Sequence, residues 1–378
     1  MSEAFNYQFT ALRGKQSGRE YFVVMCPLKL IPRIFLFDEE ELPPELRAQR
    51  TLNRSRIPHI ANYIVQNPKD YAFSSITVAI DGEIDFQPLD TTELGQDVGR
   101  LIVPMTARFL INDGQHRRAA IEEALKNCPE LADETISVVF FVDQDLKRSQ
   151  QLFADLNKHA IKPTKSLGIL YDHRDPLADL CRKLINQVDV FKGLTETEKT
   201  SISNRSNKLF TLSGVYQATE ALLKKTDKSS DVSEEEAKLA AEYWTALGNI
   251  IPEWRLAKER RVNTADLRRE YIHAHGIVLQ SLGVVGASLL AQYPQEWEER
   301  LQALSAVDWR RVNTTLWEGR AMNNGRISKS RQNITLTVNS LKSILGLPLT
   351  VEEQRLEEIH RQRIMLDDNQ EENNNGRD

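Results

Sequence analysis

The chain has 378 residues, 40% of them hydrophobic and 27% charged, which is the composition of a globular protein too long for one typical core. Its net charge of -5 excludes a uniformly basic nucleic-acid binder, but residues 351–378 hold nine acids against four arginines and account for all of that charge. The rest of the chain is neutral. We therefore predict two domains, and we expect any DNA contact to come from local basic patches.

The cysteines and the apolar stretches argue against a secreted or membrane protein. Cys26, Cys128 and Cys181 lack the spacing of a disulfide scaffold or a zinc site, so we expect no metal and a reducing cytoplasm. The first ten residues show no signal-peptide pattern. The longest apolar stretch, residues 276–291, is short and interrupted by polar residues. It predicts a buried helix and no membrane span.

The first 165 residues mix two kinds of pattern. Short runs rich in β-branched and aromatic residues predict strands. They cover residues 19–26, 75–82, 100–105, 107–112 and 135–143. Apolar residues at three-to-four spacing predict helices between them. One of these helices begins near residue 44, and three others cover residues 56–67, 116–127 and 147–159. The fold class predicted for this part is α+β.

From about Pro176 onward helix signals dominate, and all five tryptophans fall in this half. Ser233 and Glu236 match a capping box at the start of a helix. The pentapeptide RRVNT occurs twice, and we interpret it as a repeated phrase at the start of helices, since two copies do not make a solenoid. We predict a mixed domain at 1–170, a helical domain at 171–350, and a terminal helix with an acidic, disordered tail at 351–378.

The most unusual local sequence is ARFLINDGQHRRAAIEEALK, residues 107–126, where a strand pattern turns into a helix pattern through Asp113 and Gly114. A strand-to-helix turn collects unpaired backbone N–H groups and the positive end of a helix dipole, which favours an anion. Arg117 matches phosphate geometry, and His116 can donate a hydrogen bond or move a proton. Helical geometry then predicts that Arg118 points outward.

A second interpretation of the same turn is purely structural. Asn-Asp-Gly is a good turn and helix cap, and surface basic residues commonly follow one. Asp113 also argues against a plain phosphate site, because a carboxylate beside phosphates needs a metal ion or must face the helix N-terminus. The local sequence leaves both interpretations open.

Two further sets of residues are candidates. Cys26 follows a strand, so it is either a buried small hydrophobe or a redox-sensitive thiol. Three clusters interleave Arg or Lys with Asn and Ser, which suits contacts to DNA phosphates, although such runs are usually only solvated surface. The candidate DNA-binding residues are Arg54, Arg56, Arg118, Arg205, Arg320, Arg326, Lys329 and Arg331, with the last four the strongest.

The order of strand, Gly114-Gln115-His116-Arg117 and helix resembles the ParB/sulfiredoxin superfamily, in which the corresponding turn holds nucleotide phosphates. DGQHR is the signature of a bacterial group within it. The resemblance implies a nucleotide site at these four residues, with Asn157 at a second polar position. ParB proper has Gly-Glu-Arg-Arg here, and sulfiredoxin has a catalytic Cys at the position of Gln115, so sulfinic-acid reduction is not expected.

Longer stretches look like the DndB family of DNA sulfur modification proteins, and together they cover most of residues 1–220. They are residues 25–64, 113–125, 153–175 and 203–213. This resemblance implies an N-terminal ParB/sulfiredoxin-like domain followed by a mainly helical one. It also implies a cytoplasmic DNA-binding regulator, a repressor, of the DNA phosphorothioation operon, with promoter DNA and other phosphorothioation proteins as partners and a homo-oligomer left open.

A rival hypothesis makes the turn catalytic. In a nucleoside triphosphatase, or a DNA nickase of the modification and restriction system, His116 and Arg117 would polarise phosphate. Asp113 would hold magnesium or water, and a nucleoside triphosphate with magnesium would be the ligand. The two functions can coexist, with a nucleotide shifting DNA affinity. A third hypothesis is a scaffold for the modification complex.

Overall fold

The N-terminal half of the chain forms one seven-stranded mixed sheet. The strands are β1 (Asn6–Gln16), β2 (Arg19–Pro27), β3 (Ile76–Asp81), β4 (Asp85–Pro88), β5 (Val98–Pro104), β6 (Arg108–Asp113) and β7 (Thr135–Val142). Their order in the sheet is β4-β5-β1-β2-β7-β3-β6. The β3 and β7 strands pair in parallel, and the other neighbours pair antiparallel.

This computed structural model describes residues 5–35, 52–93, 95–142, 151–152, 154–156, 163–225 and 231–375, with side chains in the last helix described as far as residue 363. The chain divides into two units, residues 1–161 and 162–378. The first unit holds the mixed sheet, and the second is mainly helical. The predicted α+β class is therefore confirmed.

Two strands of the sheet were not predicted. In β1 only Phe9 and Ala11 are buried and the other positions are partly or fully exposed, so the sequence NYQFTALRGKQ carries little apolar signal. The β4 strand has four residues and none is buried. Backbone pairing holds both strands in the sheet: β1 pairs with β2 and β5, and β4 pairs with β5.

Helices of the first unit pack on the sheet and on one another. They are α1 (Ile31–Ile34), α2 (Ile57–Gln66) and α3 (Gln115–Asn127), and α3 contacts both of the others. The core beneath them includes the clustered rings of Phe9, Phe35, Phe109 and Phe140. The helix predicted near residue 44 lies outside the described residues, and the one predicted at 147–159 is described only at 151–152 and 154–156, which are helical.

The second unit is mainly helical. The helices described in it are α4 (Lys165–Tyr171), α5 (Pro176–Gln187), α6 (Leu212–Leu222), α7 (Glu234–Ile250), α8 (Pro252–Lys258), α9 (Thr264–Glu270), α10 (Gly276–Gln292), α11 (Trp297–Leu301), α12 (Thr314–Trp317), α13 (Arg331–Ile344) and α14 (Val351–Asn375). The unit is built around the apolar helix α10, whose residues are mostly buried and which packs between α6 and α13. Two short strand pairs complete the unit: β8 (Thr195–Glu196) with β9 (Phe210–Thr211), and β10 (Met322–Asn323) with β11 (Arg326–Ile327).

Local sequence signals set several helix starts in this unit. The capping box of Ser233 and Glu236 is present at the start of α7, as predicted. Both RRVNT copies precede a helix that begins at their threonine, with Asn263 and Asn313 as the N-cap residues. The interpretation as a helix-start phrase is confirmed. The last helix continues to Asn375 and so includes most of the segment predicted as a tail.

The predicted buried helix at 276–291 is confirmed as α10. Within the described part of the chain, none of the helices combines the length and the apolar character that crossing a membrane requires.

Candidate functional site

The DGQHR turn joins the end of β6 to the start of α3. Gly114 has a φ of 111°, a left-handed conformation that glycine adopts without steric cost. A Cβ at this position would also lie 3.1 Å from the side chain of Ile76. The turn therefore requires glycine both for its backbone angle and for its close approach to β3.

Gln115 and Arg118 point into the first unit. The Gln115 amide is buried and its Nε2 donates to the carbonyl of Ile111, 3.0 Å away. Arg118 is only 9% exposed; its Nε donates to the carbonyl of Phe35 at 2.9 Å and its Nη2 to that of Pro32 at 3.0 Å. It also pairs with Glu122. The prediction that Arg118 faces outward is wrong, because the backbone carbonyls of Pro32 in α1 and of Phe35 just after it take its guanidinium as their donor.

Arg117 clamps the start of β3 to the end of β6. Its Nη1 donates to the carbonyl oxygens of Ser74 and Ser75, at 2.7 and 2.8 Å, and contacts the Ser74 hydroxyl. Its Nη2 donates to Asp113 Oδ2 at 2.6 Å, an ion pair one helical turn apart. Asp113 therefore has a structural partner, and both terminal nitrogens of the guanidinium that was expected to face phosphate donate to protein oxygens.

His116 joins the turn to a basic segment. Its Nε2 accepts a hydrogen bond at 3.1 Å from the backbone N–H of Asn53, so this nitrogen carries no proton. Asn53 in turn caps the short 3-10 turn Arg54–Arg56 through its side chain. Arg54 and Arg56, both predicted DNA-binding residues, are exposed beside this junction. The structure thus brings His116 and the 54–56 segment together.

These contacts bear on the predicted nucleotide site. Phosphates need open N–H donors, and the structure already directs Gln115 Nε2 and Arg117 Nη1 at backbone oxygens and pairs Arg117 Nη2 with the Asp113 carboxylate. A nucleoside triphosphate with magnesium at this turn stays a prediction. Asn157 lies outside the described residues. The likeness of the turn to the ParB/sulfiredoxin superfamily stays a prediction.

Truncating Arg117 tests the clamp. We expect Arg117→Ala to lower the free energy of unfolding by about 2 kcal/mol, because two backbone carbonyls and the Asp113 carboxylate lose a charged donor. Chemical denaturation of the full chain measures the change. Arg108→Ala removes an exposed arginine from β6 and should alter stability by less than about 0.5 kcal/mol. Equal stability of the two variants would rule out the clamp.

Cys26 lies on β2 and is fully buried. Burial raises the pKa of its thiol to about 12, so the reactive thiolate is scarce at neutral pH. Of the two readings of this cysteine, the buried small hydrophobe is the one that the geometry supports.

Among the basic residues predicted to bind DNA in the second unit, Arg320 is an internal residue. Its guanidinium binds Glu357 with both nitrogens, at 2.6 and 2.9 Å, and donates to the carbonyl of Leu336. The two side chains of the ion pair are 13% and 11% exposed. Arg320 is therefore corrected from a candidate DNA contact to a fold-stabilising residue, because its charge is already neutralised away from solvent.

The β10 and β11 strands form a hairpin that presents the remaining cations. Asn324 and Gly325 both have positive φ, as in the type I′ turn that favours Asn-Gly, and their N–H groups bind the Glu318 carboxylate. Arg326, on β11, and Arg331, at the start of α13, are exposed. Neither side chain has a hydrogen bond or ion pair with a residue that the structure describes.

Lys329 lies between these two arginines, and its Nζ donates to Gln217 Oε1 at 2.5 Å. The side chain is exposed, yet burial of the ammonium lowers its pKa, and the nearby charge of Lys165 lowers it further. Two cations therefore lie close together, and no acid among the residues that the structure describes neutralises either of them. Arg205, the other predicted contact, is exposed in the 203–208 loop.

Sequence reasoning missed the residue that holds this hairpin in place. Asn333 is buried; its Nδ2 donates to the carbonyl of Arg320 and to Asn323 Oδ1, and its Oδ1 accepts from Ser328 and Ser330. Asn-Gly between short strand segments was the available signal for the hairpin. The role of Asn333 had no local signal, because its partners lie on both sides of the hairpin turn and meet only when the hairpin forms.

Comparisons with known proteins add one match. A family model described as DndB, DNA-sulfur modification-associated, matches residues 9–348. The matched range includes the DGQHR turn and the hairpin. The comparison with curated proteins and the comparison with solved structures gave no match.

Proposed function

Because the chain belongs to the DndB family, which is associated with DNA sulfur modification, we propose that it binds double-stranded DNA and regulates transcription of the phosphorothioation operon as a repressor. The observation that carries the proposal is the exposed pair Arg326 and Arg331, whose guanidinium groups have no acidic partner in the described part of the chain. Lys165 and Lys329 extend the same cationic surface. We call these four residues the hairpin patch.

The shape of the hairpin patch suits a duplex. A two-stranded ribbon fits the major groove, and Arg and Asn are the side chains that most often read guanine and adenine there. Arg326 is on the ribbon, whereas Arg331 and Lys329 follow it at the start of α13. We propose that Arg326 contacts base edges and that Arg331 and Lys329 contact phosphates, which orient a protein on DNA.

The low pKa of Lys329 has a consequence for this proposal. Its ammonium is disfavoured by burial and by Lys165, and a phosphate placed between the two amines would relieve the repulsion. Lys329 has two further N–H donors beyond the one bonded to Gln217. An anion is therefore the ligand that this pair of lysines favours.

Salt dependence of DNA binding is the test. For a protein that contacts DNA phosphates, the logarithm of the association constant falls linearly with the logarithm of the salt concentration. The slope is about 0.9 for each phosphate contact. We expect Arg331→Ala to reduce that slope by about 0.9 on promoter DNA and on unrelated DNA alike. Arg326→Ala should weaken promoter binding about tenfold or more while affecting unrelated DNA less. Fluorescence anisotropy over a salt series measures both.

A matched control is Lys238→Ala, which removes a surface charge from α7 that is paired with Glu242. Its slope should equal that of the unmodified protein. The proposal fails if the protein shows no preference for promoter DNA, or if Arg331→Ala and Lys238→Ala give the same slope.

A further inference from the structure

The second unit contains a cleft of about 680 Å³, and none of the four hairpin-patch residues lines it. Its size is within the range of small-molecule sites. It is formed by the segment after α5, the 204–207 loop and the segment that joins α8 to α9. Four of its lining side chains are cationic, and no acid lines it within the described part of the chain. The cations are Lys192, Arg205, Lys258 and Arg260.

The loop that carries Arg205 is held rigidly. Arg268, on α9, donates to the carbonyl oxygens of Ser203 and Ser206, at 2.9 and 3.2 Å, and to that of Lys208. Thr264 Oγ1 also donates to the Ser206 carbonyl at 3.0 Å. Burial lowers the pKa of Arg268, which fits a guanidinium committed to backbone oxygens. The loop backbone is therefore held in place before a ligand binds, which lowers the ordering cost to that of the side chains.

The four cationic side chains differ in whether the protein already supplies them with hydrogen-bond or ion-pair partners. Lys258 is satisfied, since its Nζ donates to the carbonyl of Lys192 at 2.6 Å and lies 3.3 Å from Asp189. Lys192, Arg205 and Arg260 are exposed, and their side chains have no hydrogen bond or ion pair with the residues that the structure describes. Three open cations thus face one concave surface, where their fields add.

Arg260 has an unusual backbone. Its φ is 57°, just after the C-terminal end of α8, where helices most often place glycine. An arginine in this left-handed conformation is strained, and such strain persists mostly at functional sites. The conformation makes Arg260 a lining residue of the cleft at a cost that glycine would avoid.

We propose that this cleft binds adjacent phosphate groups. Arg205 and Arg260 supply charged forks that match phosphate oxygens, Lys192 adds a third cation, and the amides of Asn204 and Asn207 can donate beside them. The apolar lining is aliphatic, so a base has no aromatic ring to stack on. Paired phosphates occur both in nucleotides and along a DNA strand. The site is separate from the hairpin patch and does not require that patch to bind DNA.

Isothermal titration calorimetry of the full chain with inorganic pyrophosphate tests the site. Loss of one charged hydrogen-bonding group should weaken binding about tenfold, so we expect that loss for Arg205→Ala and for Arg260→Gly. Glycine suits the φ of residue 260, so the Arg260→Gly variant should keep the Tm of the unmodified protein. A loss of affinity in this variant would therefore come from the missing side chain and not from a loss of folding. Arg261→Ala is the control: it removes a neighbouring exposed charge that pairs with Glu259 and does not line the cleft.

Two further titrations, with ATP and with a short DNA duplex, distinguish the sources of phosphate. If ATP binds more tightly than pyrophosphate and both cleft variants leave duplex affinity unchanged, the ligand is a nucleotide. If pyrophosphate competes with the duplex and the variants weaken duplex binding about tenfold, the ligand is the DNA backbone. The proposal is overturned if the variants bind all three probes as the unmodified protein does, or if the control loses as much affinity as they do.

Discussion

Replacing Arg320 with methionine is expected to lower the free energy of unfolding by about 3 kcal/mol, because it leaves Glu357 buried without its partner. Burial alone raises the pKa of Glu357, but the hydrogen bonds and charge of Arg320, with help from Asn339, bring that pKa below its usual value. Asn339 and the more distant Arg361 cannot replace the bidentate contact. Urea denaturation of the full chain measures the loss.

A double-mutant cycle separates the ion pair from packing. Adding Glu357→Gln to Arg320→Met removes the uncompensated charge, so the double variant should recover at least about 1 kcal/mol relative to Arg320→Met alone. The salt slope of DNA binding should be the same in the folded Arg320 variant as in the unmodified protein. A lower slope, comparable to that of Arg331→Ala, would return Arg320 to the candidate DNA contacts.

Acidification is expected to destabilise the second unit through His273. This imidazole is fully buried, and its Nδ1 accepts a hydrogen bond at 2.9 Å from Trp254 Nε1. Burial, and to a smaller extent the neighbouring His275, lowers the pKa of His273 to about 3. Burial likewise lowers the pKa of His275 to about 4. Both rings therefore stay neutral in the folded chain well below the pH at which an exposed histidine takes a proton.

The direction of the effect follows from proton counting. Below about pH 6.5 the unfolded chain protonates these histidines and the folded chain does not, so the unfolded state binds more protons and is favoured. The stabilisation is complete above that pH and is lost as the pH falls toward the folded pKa. His273 alone should account for about 2 kcal/mol between pH 6.5 and pH 4.5, because the slope approaches about 1.4 kcal/mol per pH unit only once the unfolded histidine is fully protonated.

Unfolding curves at several pH values measure this loss. His273→Gln keeps an acceptor for Trp254 and removes the titration, so its stability should fall less steeply with acid than that of the unmodified protein. The exposed His173 gives the control, and His173→Gln should follow the unmodified curve. If all three curves run parallel between pH 6.5 and pH 4.5, His273 does not set the acid response.

Much of the fold followed from short-range patterns. The β6–turn–α3 sequence, the apolar helix α10 and the capping box at Ser233 were all predicted correctly, because each depends on residues within a few positions of one another. The β1 and β4 strands were missed for the complementary reason. Most of their side chains are exposed, so they carry little apolar pattern, and their backbone pairing with β2 and β5 leaves no mark on that pattern.

For the candidate functional residues, too, the sequence supplied one part of the answer and the structure the other. Which residues are cationic, and that DGQHR forms a strand-to-helix turn, could be derived from the sequence. Which cations remain available could not. Arg326 and Arg331 are available to a ligand, whereas both terminal nitrogens of Arg117 already donate to the carbonyls before β3 and to Asp113. The sequence shows where an arginine is, but it does not show whether its guanidinium binds a phosphate or a backbone oxygen.

The sequence by itself determined the α+β class, the strand–turn–helix at 108–127 and the helical character of the second half, because turn chemistry and apolar spacing act over a few residues. Only the tertiary structure decided the roles of the arginines. Arg118 meets the Phe35 carbonyl 83 residues away, and Arg320 meets Glu357 37 residues away. Those partners arrive by chain folding, and buried polar groups must be satisfied wherever the donors come from.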